Sequence, residues 1–218
     1  MPNSRPRSLK QTARKHPASA ESVFLNIPYD SQFENLFLAY IAAISAFGFI
    51  PRATLEIPSS QMRLERILGL IEQCQYSVHD LSRVQLDRAH PRTPRFNMPF
   101  ELGLAIGLER AARIKHVWVV CESEAHRVQK SLSDLNGTDI YVHDGTIRGV
   151  FREFGSIFVR NSRQPTVREM MSIYQILRRS LREVLARAGQ TSPFNARVFR
   201  DLCVIASLNA NGLDKPDS

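Results

Sequence analysis

Two acids stand where an α/β protein can do chemistry. Glu101 lies in Phe96-Asn97-Met98-Pro99-Phe100-Glu101-Leu102-Gly103-Leu104-Ala105, an apolar, small-residued helix start. Asp80 ends Tyr76-Ser77-Val78-His79-Asp80-Leu81, which reads as a strand. A strand, a long polar loop and an acid on an oily helix start is how a crevice carboxylate is built. With Met98 as the boundary residue, Pro99 takes the first helical position and Glu101 the third. A third-position acid suits the helix dipole and can bond back to the boundary N–H. Asn97 is the alternative boundary, which moves Glu101 one place on. Yet positions 101, 104, 105, 108 and 112 read Glu, Leu, Ala, Leu, Ala, so Glu101 heads the stripe expected to press on the sheet. Gly103 and Gly107 are expected to let that helix approach a strand closely. Burial raises the pKa of such an acid and the helix N-terminus lowers it, so its charge state is tunable. On physics alone, helix cap and crevice acid weigh equally.

The elements that must position these acids follow from periodicity and turn chemistry. Ser22 to Ile27 reads as a first strand, and Pro28-Tyr29-Asp30-Ser31 as a turn and cap. Phe33, Leu36, Phe37, Tyr40, Ile41, Ile44 and Phe47 recur at helical spacing, and Gly48 stops the helix. Phe49 to Glu56 suits a second strand, with Pro51 placing it at an edge. A helix over Met62–Cys74 and a strand over Gln75–Leu81 follow. The loop Ser82–Asn97 is long and polar, and loops of that length inside a domain are usually functional. Beyond it come a helix (Met98–Ile114), a strand (His116–Cys121), a short helix (Ala125–Ser131), a short strand (Thr138–Val142) and a helix (Ile147–Val159). This alternation predicts a flavodoxin-like, doubly wound α/β fold with a parallel five-stranded sheet in the order 2-1-3-4-5. Its ligand site belongs beyond the carboxyl ends of strands one and three, where the order reverses. From Pro165 the pattern becomes helical, with a Met and Leu stripe from Val167 to Leu185 and a further helix over Phe194–Asn209. The expected division is a disordered basic tail (1–20), an α/β domain (21–160), a helical extension (161–210) and a disordered tail (211–218).

Composition bounds the rest. The 218 residues are 43% hydrophobic and 23% charged, as in globular proteins. No apolar run approaches the roughly 20 residues of a spanning helix, and no signal-peptide core is visible, so a cytoplasmic protein without a membrane partner is expected. Cys74, Cys121 and Cys203 suit neither a disulfide framework nor a metal site. Five of the net +8 charges sit in residues 1–20 (Arg5, Arg7, Lys10, Arg14, Lys15), so contact with nucleic acid is expected only through this tail.

Three segments carry a family resemblance: Val23-Phe24-Leu25-Asn26-Ile27-Pro28-Tyr29-Asp30, Ser77-Val78-His79-Asp80-Leu81-Ser82, and Asn97-Met98-Pro99-Phe100-Glu101-Leu102-Gly103-Leu104-Ala105-Ile106-Gly107. Together they resemble the Toll/interleukin-receptor-like (TIR-like) and nucleoside 2-deoxyribosyltransferase-like superfamily, and most specifically bacterial TIR-like nucleotide-binding proteins. The similarity covers roughly residues 22–145. It implies Glu101 as the catalytic residue and maps the acid after the third strand onto Asp80. It implies a nucleotide site lined by Asn26, Pro28, Tyr29 and Asp30, with Ser82, Arg95 and Asn97 from the long loop. The Gly-rich first turn of the deoxyribosyltransferases is replaced here by Ile27-Pro28-Tyr29. The chemistry implied is cleavage of an N-glycosidic bond in NAD or a related nucleotide, with the nucleotide as substrate, no cofactor and no metal. A role in bacterial defence and assembly into a homo-oligomer belong to the same expectation. The nicotinamide of NAD is already cationic and leaves without a proton, so one carboxylate suffices. A neutral base wants a second, protonated acid, for which Asp80 and Asp30 are the candidates. Arg83, Arg88, Arg92 and Arg95 could meet phosphates.

Other classes lack their motifs. There is no P-loop, no G-x-G-x-x-G after the first strand, no G-x-S-x-G and no H-E-x-x-H. A phosphoacceptor receiver wants two adjacent acids after the first strand and a Lys after the fifth, and neither is present. The alternative to an enzyme is a non-catalytic nucleotide-sensing or oligomerising scaffold, with the long C-terminal helix serving to pair chains.

Overall fold

A computed structural model describes residues 22–56, 62–83, 90–112, 115–159 and 164–213. The expected basic tail (1–20) lies outside them. Five strands form one parallel sheet: β1 (Ser22–Asn26), β2 (Ile50–Ala53), β3 (Tyr76–Asp80), β4 (Val117–Glu122) and β5 (Ile140–Val142), in the order β2-β1-β3-β4-β5. This is the flavodoxin-like, doubly wound arrangement. Pro51 sits in the edge strand β2, where its missing N–H costs the ladder least.

The crossovers, expected to be right-handed, divide the helices between the two faces. On one face lie α1 (Glu34–Ala46), α5 (Ile147–Ile157), α6 (Val167–Ala188) and α7 (Ala196–Leu213). They share a single core with Val23, Leu25, Val78 and Val119. On the other lie α2 (Arg63–Glu72) and α3 (Asn97–Ala112), packed on Phe24, with α4 (Arg127–Ser131) beyond them against Val120.

α1 is apolar all round because α5, α6 and α7 enclose it, and Leu36 to Ser45 are all buried. The stripe of α6 (Met170, Ile173, Leu177, Leu181, Val184) is buried in the same core. The pairing stripe expected from the sequence is therefore used within the chain. α6 opens with a Thr166/Glu169 capping box and ends at Gly189, whose φ of 65° is left-handed. α7 runs to Leu213, so residues 211–213 are helical where a disordered tail was expected to begin. Residues 214–218 lie outside those described.

Gly103 and Gly107 do not serve the expected close approach. Both face outward, and a Cβ on either would meet nothing within 4 Å. The close approach is at Gly149 in α5, where a Cβ would fall 1.9 Å from the His143 carbonyl oxygen.

Candidate functional site

Side-chain alternation on β1 and β3 decides what can meet Glu101. Val23, Leu25, Val78 and Asp80 face α1, while Phe24, Asn26, Ser77 and His79 face α2 and α3. Asp80 and Glu101 therefore lie on opposite faces of the sheet, and Asp80 does not reach the Glu101 site as a second acid.

Asp80 is fully buried in its own network. It accepts hydrogen bonds from the Tyr40 hydroxyl (2.6 Å), His143 Nε2 (3.0 Å) and the Ser82 backbone N–H (2.8 Å). Burial pushes its pKa up, but these hydrogen bonds, led by His143, outweigh it and hold the pKa below the ordinary value. His143 Nδ1 accepts from the Gly145 N–H, so Nε2 carries the ring proton. Ser82 Oγ also meets His143 Nε2, at 3.2 Å. Serine and aspartate thus contact the same ring nitrogen, whereas a catalytic triad needs them on different ones.

On the other face a buried polar chain runs beneath α3. Asn26 Nδ2 donates to the Met98 carbonyl (2.9 Å) and to His79 Nδ1 (2.8 Å). His79 Nε2 then donates to Ser77 Oγ (2.9 Å), and Ser77 Oγ to His116 Nε2 (2.8 Å). His116 Nδ1 closes the chain on the Cys74 carbonyl (2.9 Å). The donors run one way, which keeps both imidazoles neutral. Burial, reinforced by the neighbouring His116, lowers the His79 pKa to about 3, and burial lowers that of His116. The chain fixes the start of α3 against the sheet.

α3 begins at Asn97, and the Phe100 N–H bonds the Phe96 carbonyl as the first helical hydrogen bond. Glu101 is therefore the fifth helical residue, neither the third nor the fourth, and lies past the first turn where an acid caps. It is only 6% exposed, and its Oε2 is buried with no hydrogen-bond partner among the described residues. Burial raises its pKa to about 7, against the opposing charge of Arg63. A buried carboxyl oxygen without a partner is costly unless it serves a ligand.

Glu101 lines a cavity of about 470 Å³ between α2 and α3, within the size range of small-molecule sites. Leu64, Ile67, Phe96 and Phe100 make its walls apolar, and Arg63 and Asn97 are its other polar lining residues. Phe96 and Phe100 are 66% and 55% exposed, open aromatic surface beside a buried acid.

The other expected site residues are engaged in holding the fold. Pro28 is buried, and Asn26 directs its amide into the polar chain. Tyr29 bonds Thr54 Oγ1 (3.1 Å) and lies near enough to Glu101 for that charge, after burial, to help raise its pKa. Asp30 caps a short turn through the Gln32 and Phe33 N–H groups. It also takes ion pairs from Arg83 (3.2 Å) and Arg95 (3.0 Å), so these two arginines tie the long loop to the β1 loop. Ser82 belongs to the Asp80 network, Arg92 is exposed, and Arg88 lies outside the described residues. Of the expected residues, Glu101 and Asn97 line the cavity, with Tyr29 nearby.

Sequence reasoning missed Arg63, Leu64, Ile67, Phe96 and Phe100 as site residues. The signal was present in the strand order: with β1 between β2 and β3, right-handed crossovers seat α2 beside α3. Among the described residues no group of His, Cys, Asp and Glu could hold a metal ion, and no helix is long and apolar enough to cross a membrane. No protein-family model, curated protein or solved structure matches this chain.

Proposed function

We propose that this chain cleaves the N-glycosidic bond of NAD or a related nucleotide, with Glu101 as the catalytic carboxylate. The observation that carries the reading is a buried Glu101 with an unpartnered oxygen beside an apolar cavity open to solvent. The aromatic and aliphatic walls suit a flat heteroaromatic ring, and Tyr29 lies close to the carboxylate.

The chemistry needs one acid. The C1′–N bond breaks with its electron pair going to the nicotinamide nitrogen, which becomes neutral. Positive charge develops on the ribose, and the Glu101 carboxylate stabilises or captures it. Water supplies the hydroxyl at C1′ and releases a proton. With Asp80 on the opposite face, a cationic leaving group fits this site better than a neutral base, which would call for a second acid. Glu101 acts when ionised, so the rate rises with pH through about 7. Participation in bacterial defence and assembly into a homo-oligomer are part of the same reading, resting on the resemblance of residues 22–145.

Release of nicotinamide from NAD by the purified protein, followed over a range of protein concentrations, tests the reading. Glu101→Ala is expected to lower the rate by about a thousandfold or more. An unchanged rate removes Glu101 from the chemistry.

A further inference from the structure

We propose that Arg63 is the specificity-determining residue of the Glu101 cavity and selects ligands that carry a phosphate beside their ring. This rests on the reading of Glu101 given above and adds the substrate class to it.

Arg63 is the one cation among the described lining residues, facing four apolar side chains, Asn97 and Glu101. It is exposed and has no hydrogen-bond or ion-pair partner among the described residues. Two of the loop arginines that might have met a phosphate are occupied, since Arg83 binds Asp30 and Gln32 and Arg95 binds Asp30, and Arg92 is not among the residues lining the cavity. Arg63 lies close enough for its charge to oppose the burial of both Glu101 and Tyr29, yet it forms no ion pair with Glu101. The two charges thus occupy separate parts of one cavity. A ligand with a developing cation at its sugar and a phosphate elsewhere would meet a carboxylate and a guanidinium that line the same cavity.

The backbone adds to the same preference. Arg63 is the first residue of α2, and Met62 at its cap offers no side-chain hydrogen bond to the first-turn N–H groups. A helix start with a guanidinium beside it favours negative charge. A nucleoside, which has no phosphate, would leave Arg63 unused.

The test is calorimetric titration of wild type and Arg63→Gln with nicotinamide mononucleotide and with nicotinamide riboside, assaying free nicotinamide at the end of each run. Wild type is expected to bind the mononucleotide at least tenfold tighter than the riboside. Arg63→Gln is expected to remove most of that difference by weakening the mononucleotide alone, with Arg63→Lys intermediate. Equal binding of the two ligands by wild type overturns the inference, as does equal weakening of both by Arg63→Gln. Binding of neither ligand overturns it together with the cleavage reading. Phosphate preference without nicotinamide release supports Arg63 and overturns cleavage. Release from both ligands at rates that Arg63→Gln does not alter does the reverse. Arg63 is exposed, so an unchanged thermal melt of the variant accompanies the expected result.

Discussion

At the scale of single residues, two acids that look alike in the sequence have opposite environments. Asp80 is fully buried and has three hydrogen-bond donors; Glu101 lines a cavity and has an oxygen with no donor among the described residues. The first arrangement stabilises a charge inside the fold, and the second leaves a carboxyl oxygen unsatisfied in the residue that lines the cavity. Asp80→Asn supplies only one acceptor oxygen and turns an N–H group toward donors, so it is expected to cost about 2–4 kcal/mol of stability. Chemical denaturation measures that loss. Nicotinamide release by the fraction that stays folded is expected to persist, and its abolition with the fold intact would place Asp80 in the chemistry. Neither environment is written in the local sequence. What parted the two acids was the alternation of β3, which turned Val78 and Asp80 together toward α1.

At the scale of elements, the helix docks where a residue permits backbone contact. Gly149 allows α5 to meet the turn after β5, and Thr146 caps α5 through the Gly149 N–H. Gly149→Ala places a methyl group inside the His143 carbonyl, so the helix must shift. A loss of about 3 kcal/mol or more is expected, read as a lowered denaturation midpoint. Gly103→Ala and Gly107→Ala, on the outer face of α3, are expected to add helix propensity and leave the midpoint equal or higher. Should Gly149→Ala prove neutral, the contact between α5 and the His143 turn is looser than described. The three glycines are equivalent in a periodicity plot. Only the docking of each helix separates a glycine facing backbone from one facing solvent.

At the scale of the whole molecule, buried titratable groups on one face of the sheet couple stability to pH in opposing directions. The folded pKa of Glu101, about 7, lies above its ordinary 4.5, so its contribution is complete below 4.5 and lost as pH rises through 7. The folded pKa of His79, about 3, lies below its ordinary 6.5, so its contribution is complete above 6.5 and lost as pH falls toward 3. His116 acts in the same direction as His79. Between 4.5 and 6.5 Glu101 and His79 offset one another proton for proton. Glu101→Gln removes the offset, and its stability is expected to fall on acidification across that window more steeply than that of wild type, by about 1.4 kcal/mol per pH unit. Denaturant titrations of both proteins at pH 6.5 and 4.5 check this, and parallel slopes would mean that Glu101 is ionised throughout. The sequence by itself determined the α/β class, the strand order and the presence of the helix that carries Glu101, though not its first residue, because periodicity, turn residues and crossover handedness are local or nearly local rules. Tertiary structure alone decided that Asp80 belongs to the opposite face, that Arg83 and Arg95 close on Asp30, and that Arg63 and two phenylalanines join Glu101 around one hollow. The phenylalanines are chain neighbours of Glu101, but Arg63 with Glu101, and Arg83 and Arg95 with Asp30, are far apart in the chain, and their meetings are fixed by which face each takes and how closely each helix docks.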